Sequence, residues 1–102
     1  MIAVIIRSQA EADIAEASAW YEERQIDLGQ AFLNEVSIAL ISAAENPFRF
    51  PVFRRRPEVR RILVARFPYR IFFIREPDRL VLFRVLHEAQ YDRNWKSSIP
   101  SE

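Results

Sequence analysis

The run Val59-Arg-Arg-Ile-Leu-Val-Ala-Arg-Phe-Pro-Tyr-Arg-Ile-Phe-Phe-Ile-Arg75, then Glu76-Pro-Asp-Arg79 and Leu80-Val-Leu-Phe-Arg-Val-Leu-His87, decides the fold. Three segments dense in Ile, Val, Leu and Phe stand in succession, which is the composition of strands. The first break is Phe67-Pro68, where proline cannot donate to a ladder and holds its neighbour extended. The second is Pro77-Asp78, suited to the central positions of a type I turn. A three-stranded antiparallel meander is the expected product. On its second strand Tyr69, Ile71 and Phe73 share one face, and Arg70, Phe72 and Ile74 the other. On its third, strict alternation sets Val81, Phe83, Val85 and His87 against Leu80, Leu82, Arg84 and Leu86. Both faces are apolar. A sheet with helices on one side only then needs further cover, from the C-terminal tail, a second subunit or a partner chain.

Immediately upstream, residues 47–58 read Pro47-Phe-Arg-Phe-Pro-Val-Phe-Arg-Arg-Arg-Pro-Glu58. Three prolines argue against a helix. Phenylalanines interleaved with arginines fit single-stranded nucleic acid, with charge for phosphates and rings for bases. They also fit a connecting loop whose phenylalanines tuck under the sheet, and that reading is preferred for Phe48 and Phe50. Arg54, Arg55 and Arg56 form the strongest electrostatic footprint in the chain.

Two helices are expected before this segment. Ser8 and Glu11 have capping-box spacing ahead of a helix over residues 9–24, whose apolar face holds Ala10, Ile14, Ala17 and Tyr21. The alanines permit close approach of another helix, and Trp20 and Tyr21 read as core or helix-pair contacts. Asp27 and Gln30 suggest a second capped start. Phe32, Val36, Leu40 and Ala44 then recur every four residues, Leu33 and Ile41 widen the stripe, and Asn46-Pro47 ends it. The short link implies an αα-hairpin packed on the sheet. Ile2 to Ile6 form a continuous apolar run, expected as a strand buried on both faces.

Composition narrows the possibilities further. With 102 residues, half of them hydrophobic, and a single glycine, residues 1–102 are expected to form one folded domain. The absence of cysteine excludes disulfides and thiolate metal sites. No apolar run reaches membrane-spanning length, and the N-terminus lacks the apolar core of a signal peptide, so a soluble cytoplasmic protein is expected. Net charge is only +1, yet residues 1–46 hold eight acids against two bases and residues 47–102 hold six acids against thirteen bases. All but one of those thirteen are arginine, whose planar fork grips phosphate or carboxylate bidentately, so an anionic partner is suggested. Arginines flanking a solvated strand face are the plainer alternative.

The order of elements, together with Phe67-Pro-Tyr-Arg-Ile-Phe72, Val85-Leu-His87 and Trp95, resembles the RelE/ParE superfamily, the toxin halves of type II toxin–antitoxin pairs. The resemblance covers residues 1–96. It implies an α+β fold of order β-α-α-β-β-β, no cofactor, and a hetero-oligomer with a cognate antitoxin that wraps the toxin. It also implies one of two activities. RelE-like members cleave messenger RNA on the ribosome without a metal; ParE-like members bind and poison DNA gyrase and carry no hydrolytic site.

On the nuclease branch the 2′-hydroxyl attacks its own phosphate, which needs a base, an acid and cations for the developing charge. The resemblance places Arg61, Arg70, His87 and Tyr91 in those roles. Against it, Leu63 stands where a second basic strand residue is expected, the segment after His87 lacks an arginine, and Trp95 replaces a late tyrosine. A lone histidine at a strand end is also more often structural. The sequence contains no Gly-rich phosphate loop, and no second histidine that could join a metal site. The reading therefore leans to a gyrase-binding, non-enzymatic toxin, with the ribosome-dependent nuclease as the alternative. Arg54, Arg55, Arg56, Arg60 and Arg84 are the candidate target- or nucleic-acid-binding residues.

Overall fold

A computed structural model describes residues 2–89. The order is β1 (Ala3–Ile6), α1 (Ser8–Arg24), α2 (Leu28–Glu45), a one-turn 3-10 helix (Pro47–Arg49), β2 (Val52–Arg55), β3 (Glu58–Leu63), β4 (Tyr69–Glu76) and β5 (Arg79–His87). The five strands form one sheet in the order β1-β5-β4-β3-β2. The meander expected from the sequence is β3-β4-β5, antiparallel throughout. The helical hairpin covers one face, giving the expected α+β architecture. Its core joins Ala10, Ala17, Phe32 and Val36 from the helices to Ile71, Phe73 and Leu82 from the sheet.

Several local expectations are corrected. The proline-rich segment is not irregular throughout: Pro47 starts a single 3-10 turn, its missing amide costing nothing at a helix start, and Val52–Arg55 pair with β3. Strand β1 is not buried on both faces. It is the outer edge of the sheet, parallel to β5, and leaves Ile5 and Ile6 partly exposed. A short apolar run does not reveal how many neighbours its strand will have.

The alternation expected for β5 fails at a bulge. Phe72 pairs with Arg84 but Phe73 with Leu82, so Phe83 is the extra residue. Leu80, Leu82 and Val85 therefore all reach the helix-side core, while Phe83 and Leu86 join Val59 and Phe72 in a second cluster on the outer face. Those four are at most 2% exposed within the single chain, with Phe53 and Ile74 packed against them. The cluster's burial is thus no argument for a partner.

Neither expected capping box forms. Helix α1 begins at Ser8 itself, with Arg7 at the cap and no side-chain cap bond. At α2 the cap residue Asp27 is left-handed (φ 71°) and its side chain caps nothing. Glu22 of α1 does that work across the hairpin, accepting hydrogen bonds from the amides of Asp27 and Gly29 at 3.0 Å each. Gln30 donates to Asn34 instead. Gly29 sits where the helices touch: a Cβ there would lie 2.6 Å from the Ser18 carbonyl oxygen. On α2, Ile41 is half exposed and does not widen the buried stripe; the added buried positions are Ala39 and Ala43.

Candidate functional site

The sheet separates two surfaces. On the helix side, α1 and the ends of β4 and β5 border a groove of about 680 Å³. Gln9, Asp13, Glu16 and Trp20 lie along one face of α1, at helical spacing, and form one wall. Tyr21, Tyr69, Arg84 and His87 contribute to the others.

Asp13 ties the groove together. Its carboxylate accepts from Arg84 Nε at 2.7 Å, Arg84 Nη2 at 3.2 Å and the Val85 amide at 2.9 Å. The bulge on β5 presents the Arg84 side chain and the Val85 amide together, so one carboxylate on α1 can bind both. Trp20, Tyr21, Tyr69 and His87 make a chain of edge-on rings, with centroid separations of 5.2, 6.1 and 5.3 Å. Burial pushes both tyrosine hydroxyls above their ordinary value. For Tyr69, Tyr21, Glu16 and Asp13 add to the rise, because a phenolate would meet their negative charge. His87 Nδ1 accepts from the Ala89 amide at 3.0 Å, which leaves the proton of the neutral ring on Nε2.

The other surface is the outer face of the sheet. Cross-strand pairing sets Arg61 opposite Phe72 and Arg70 opposite Leu63, so the two arginines are diagonal neighbours there. The Arg61 guanidinium lies 4.5 Å from the centre of the Phe53 ring. Arg70 is largely enclosed: its Nε is buried without a hydrogen-bond partner, and the Glu88 carboxylate is 4.0 Å from its Nη2. Leu63, beside it, is exposed.

The candidate residues therefore divide. Arg61 and Arg70 share the outer face, whereas His87, paired with Tyr69, belongs to the helix-side groove. Tyr91 and Trp95 lie outside the described residues. Of the proposed target-binding arginines, Arg54, Arg55 and Arg56 are exposed at the β2–β3 hairpin. Arg60 is not available: it is buried, donating to the Phe50 carbonyl at 2.6 Å and to Glu58 at 3.0 Å. Arg84 is committed to Asp13. Phe48 does not tuck under the sheet; it is 60% exposed, with the guanidinium groups of Arg60 and Arg75 near its ring. Phe50 does pack against the core. Trp20, expected in a helix contact, is half exposed with the Arg24 guanidinium 3.4 Å from its ring centre. The sequence reading missed Asp13, Glu16 and Tyr69; the recurrence of Gln9, Asp13, Glu16 and Trp20 on one helix face was the available signal.

Among the described residues no group of His, Asp and Glu could hold a metal ion, and no helix is long and apolar enough to cross a membrane. The sequence profile of the ParE toxin of type II toxin–antitoxin systems, parDE, matches residues 4–91. The chain belongs to the ParE toxin family. A solved structure described as the chromosomal ParDE TA system from P. aeruginosa contains a similar chain, with a TM-score of 0.73 and 14% identity. The match covers 85% of this ParE-family chain and 96% of that one, and at such identity the likeness is one of fold. No curated protein sequence matches. Membership in the ParE branch bears out the resemblance noted from Phe67-Pro-Tyr-Arg70 and Val85-Leu-His87.

Proposed function

We propose that this chain acts by binding DNA gyrase rather than by hydrolysing RNA, and that a cognate antitoxin neutralises it in the cytoplasm. The observation that carries this reading is the division of the would-be nuclease residues. Attack by a 2′-hydroxyl needs base, acid and cations around one phosphate. Arg61 and Arg70 are on one face of the sheet and His87 is at the other, beside a tyrosine and α1. Family membership in the ParE toxins adds support, and implies an antitoxin as the partner. Of the candidate target-binding arginines, Arg54, Arg55 and Arg56 are exposed and can meet an acidic target.

Brief induction of the chain in a bacterium, reading DNA-damage signalling and transcript integrity together, tests the proposal. Damage signalling with filamentous cells and intact messenger RNA is expected, and His87→Ala should leave it unchanged. Rapid transcript cleavage without damage signalling, lost in Arg70→Ala or His87→Ala, would overturn the reading in favour of a ribosome-dependent nuclease.

A further inference from the structure

We infer that the groove between α1 and the β4–β5 ends seats an arginine or lysine side chain from a basic segment of a partner protein. The inference rests on the antitoxin part of the reading above only in that an antitoxin is the natural candidate for such a partner. It does not depend on gyrase being the target.

Three observations converge on a cation. First, the walls are aromatic: Trp20, Tyr21 and Tyr69 line the groove in sequence, and the negative faces of such rings attract guanidinium and ammonium groups. Trp20 already carries one such group, Arg24, 3.4 Å from its ring centre. Second, the charges do not cancel. Asp13 and Arg84 neutralise each other, whereas Glu16 makes no hydrogen bond or ion pair among the described residues. Third, the tyrosine hydroxyls stay protonated well into alkaline pH, so the rings remain neutral π-donors with polar edges beside Glu16. A carboxylate next to a partly buried ring suits a cation better than either group alone, since the ring shields one side of the ion pair from water.

Charge complementarity also selects the class of partner. Half of the groove's lining comes from the basic part of the chain, but Arg84 is bound to Asp13, so an acidic or nucleic-acid ligand would meet the Glu16 carboxylate, unpaired among the described residues. The hollow between α1 and α2, about 760 Å³, has no aromatic wall, and Glu22 there is engaged in capping α2.

The test uses the full chain with Trp95→Phe, which leaves Trp20 as the sole tryptophan reporter. A short alanine-rich helical peptide bearing arginine is titrated in, beside its citrulline counterpart, which keeps the shape and loses the charge. The arginine peptide should change Trp20 emission saturably, and the citrulline peptide should bind roughly tenfold more weakly. Glu16→Gln should reduce the difference between the two peptides, while Glu11→Gln, which removes the same charge from the same helix outside the groove, should not. Circular dichroism of each variant confirms the fold. Equal binding of the two peptides, an unchanged Glu16→Gln, or preference for a glutamate-bearing peptide would each overturn the inference. None of these outcomes alters growth inhibition by the induced chain, so the two readings fail separately.

Discussion

Asp13 and Arg84 set the terms at the scale of single residues. Both side chains are largely removed from water, so deleting the carboxylate leaves a guanidinium and the Val85 amide without their acceptor. Asp13→Ala should cost on the order of 2–3 kcal/mol in urea denaturation, far more than loss of an exposed pair such as Arg79–Glu76. The tyrosines give a pH signature. A hydroxyl whose folded value is raised contributes stability that is complete below the unfolded value near 10 and is lost as pH rises through the folded one. Melting temperature should therefore fall above pH 10, and Tyr69→Phe should flatten that fall. The arginines show what a sequence does and does not disclose at this scale. Their number and clustering mark a basic half, but Arg60 and Arg84 are consumed inside the protein. Arg84's partner stands 71 positions away in sequence, a pairing that no local pattern announces.

Among the elements, the helical hairpin was the most legible, because a four-residue repeat of apolar side chains in α2 dictates which face is buried. Its joints were less so. The cap of α2 comes from the preceding helix, and a capping box is a local pattern that cannot anticipate a carboxylate reaching across a turn. Glu22→Ala should cost about 1 kcal/mol by leaving the Asp27 and Gly29 amides to solvent. Gly29→Ala should cost more, about 1–3 kcal/mol, because the added methyl meets the Ser18 backbone and the helices must part. Thermal or chemical denaturation of both variants checks the order; equal losses would mean the crossing is looser than its geometry. The meander was legible in outline because its three strands are rich in β-branched and aromatic residues broken by proline. The bulge at Phe83 was not: one inserted residue exchanges the faces of everything after it, and both faces here are apolar, so no polar residue reports the slip.

At the scale of the molecule, acids gather on the helices and bases on the strands, so the two surfaces of one small protein differ in charge. Replacing Arg54, Arg55 and Arg56 by glutamine should leave stability within about 0.5 kcal/mol, since all three are exposed. The same variant should lose capture of gyrase in a pull-down and the salt sensitivity of that capture. Unchanged capture would remove the hairpin from the target-binding surface. The division between the outer arginines and His87 was beyond the sequence for a simple reason. Residues close in the chain and equally polar can end on opposite sides of a sheet, and the family resemblance placed them by position rather than by face.

The parallel pairing of β1 with β5 also shapes how the chain can come into being. Ala3 lies beside Arg79, so β1 has no strand neighbour until β5 is in place. Such long-range closure slows folding relative to a helical bundle of similar size. A chain truncated before Arg79 lacks the strand that joins β1 to β4, and limited proteolysis should cut it throughout. Restoring residues 79–87 should confer protection in a single step, because β5 joins β1 to the rest of the sheet.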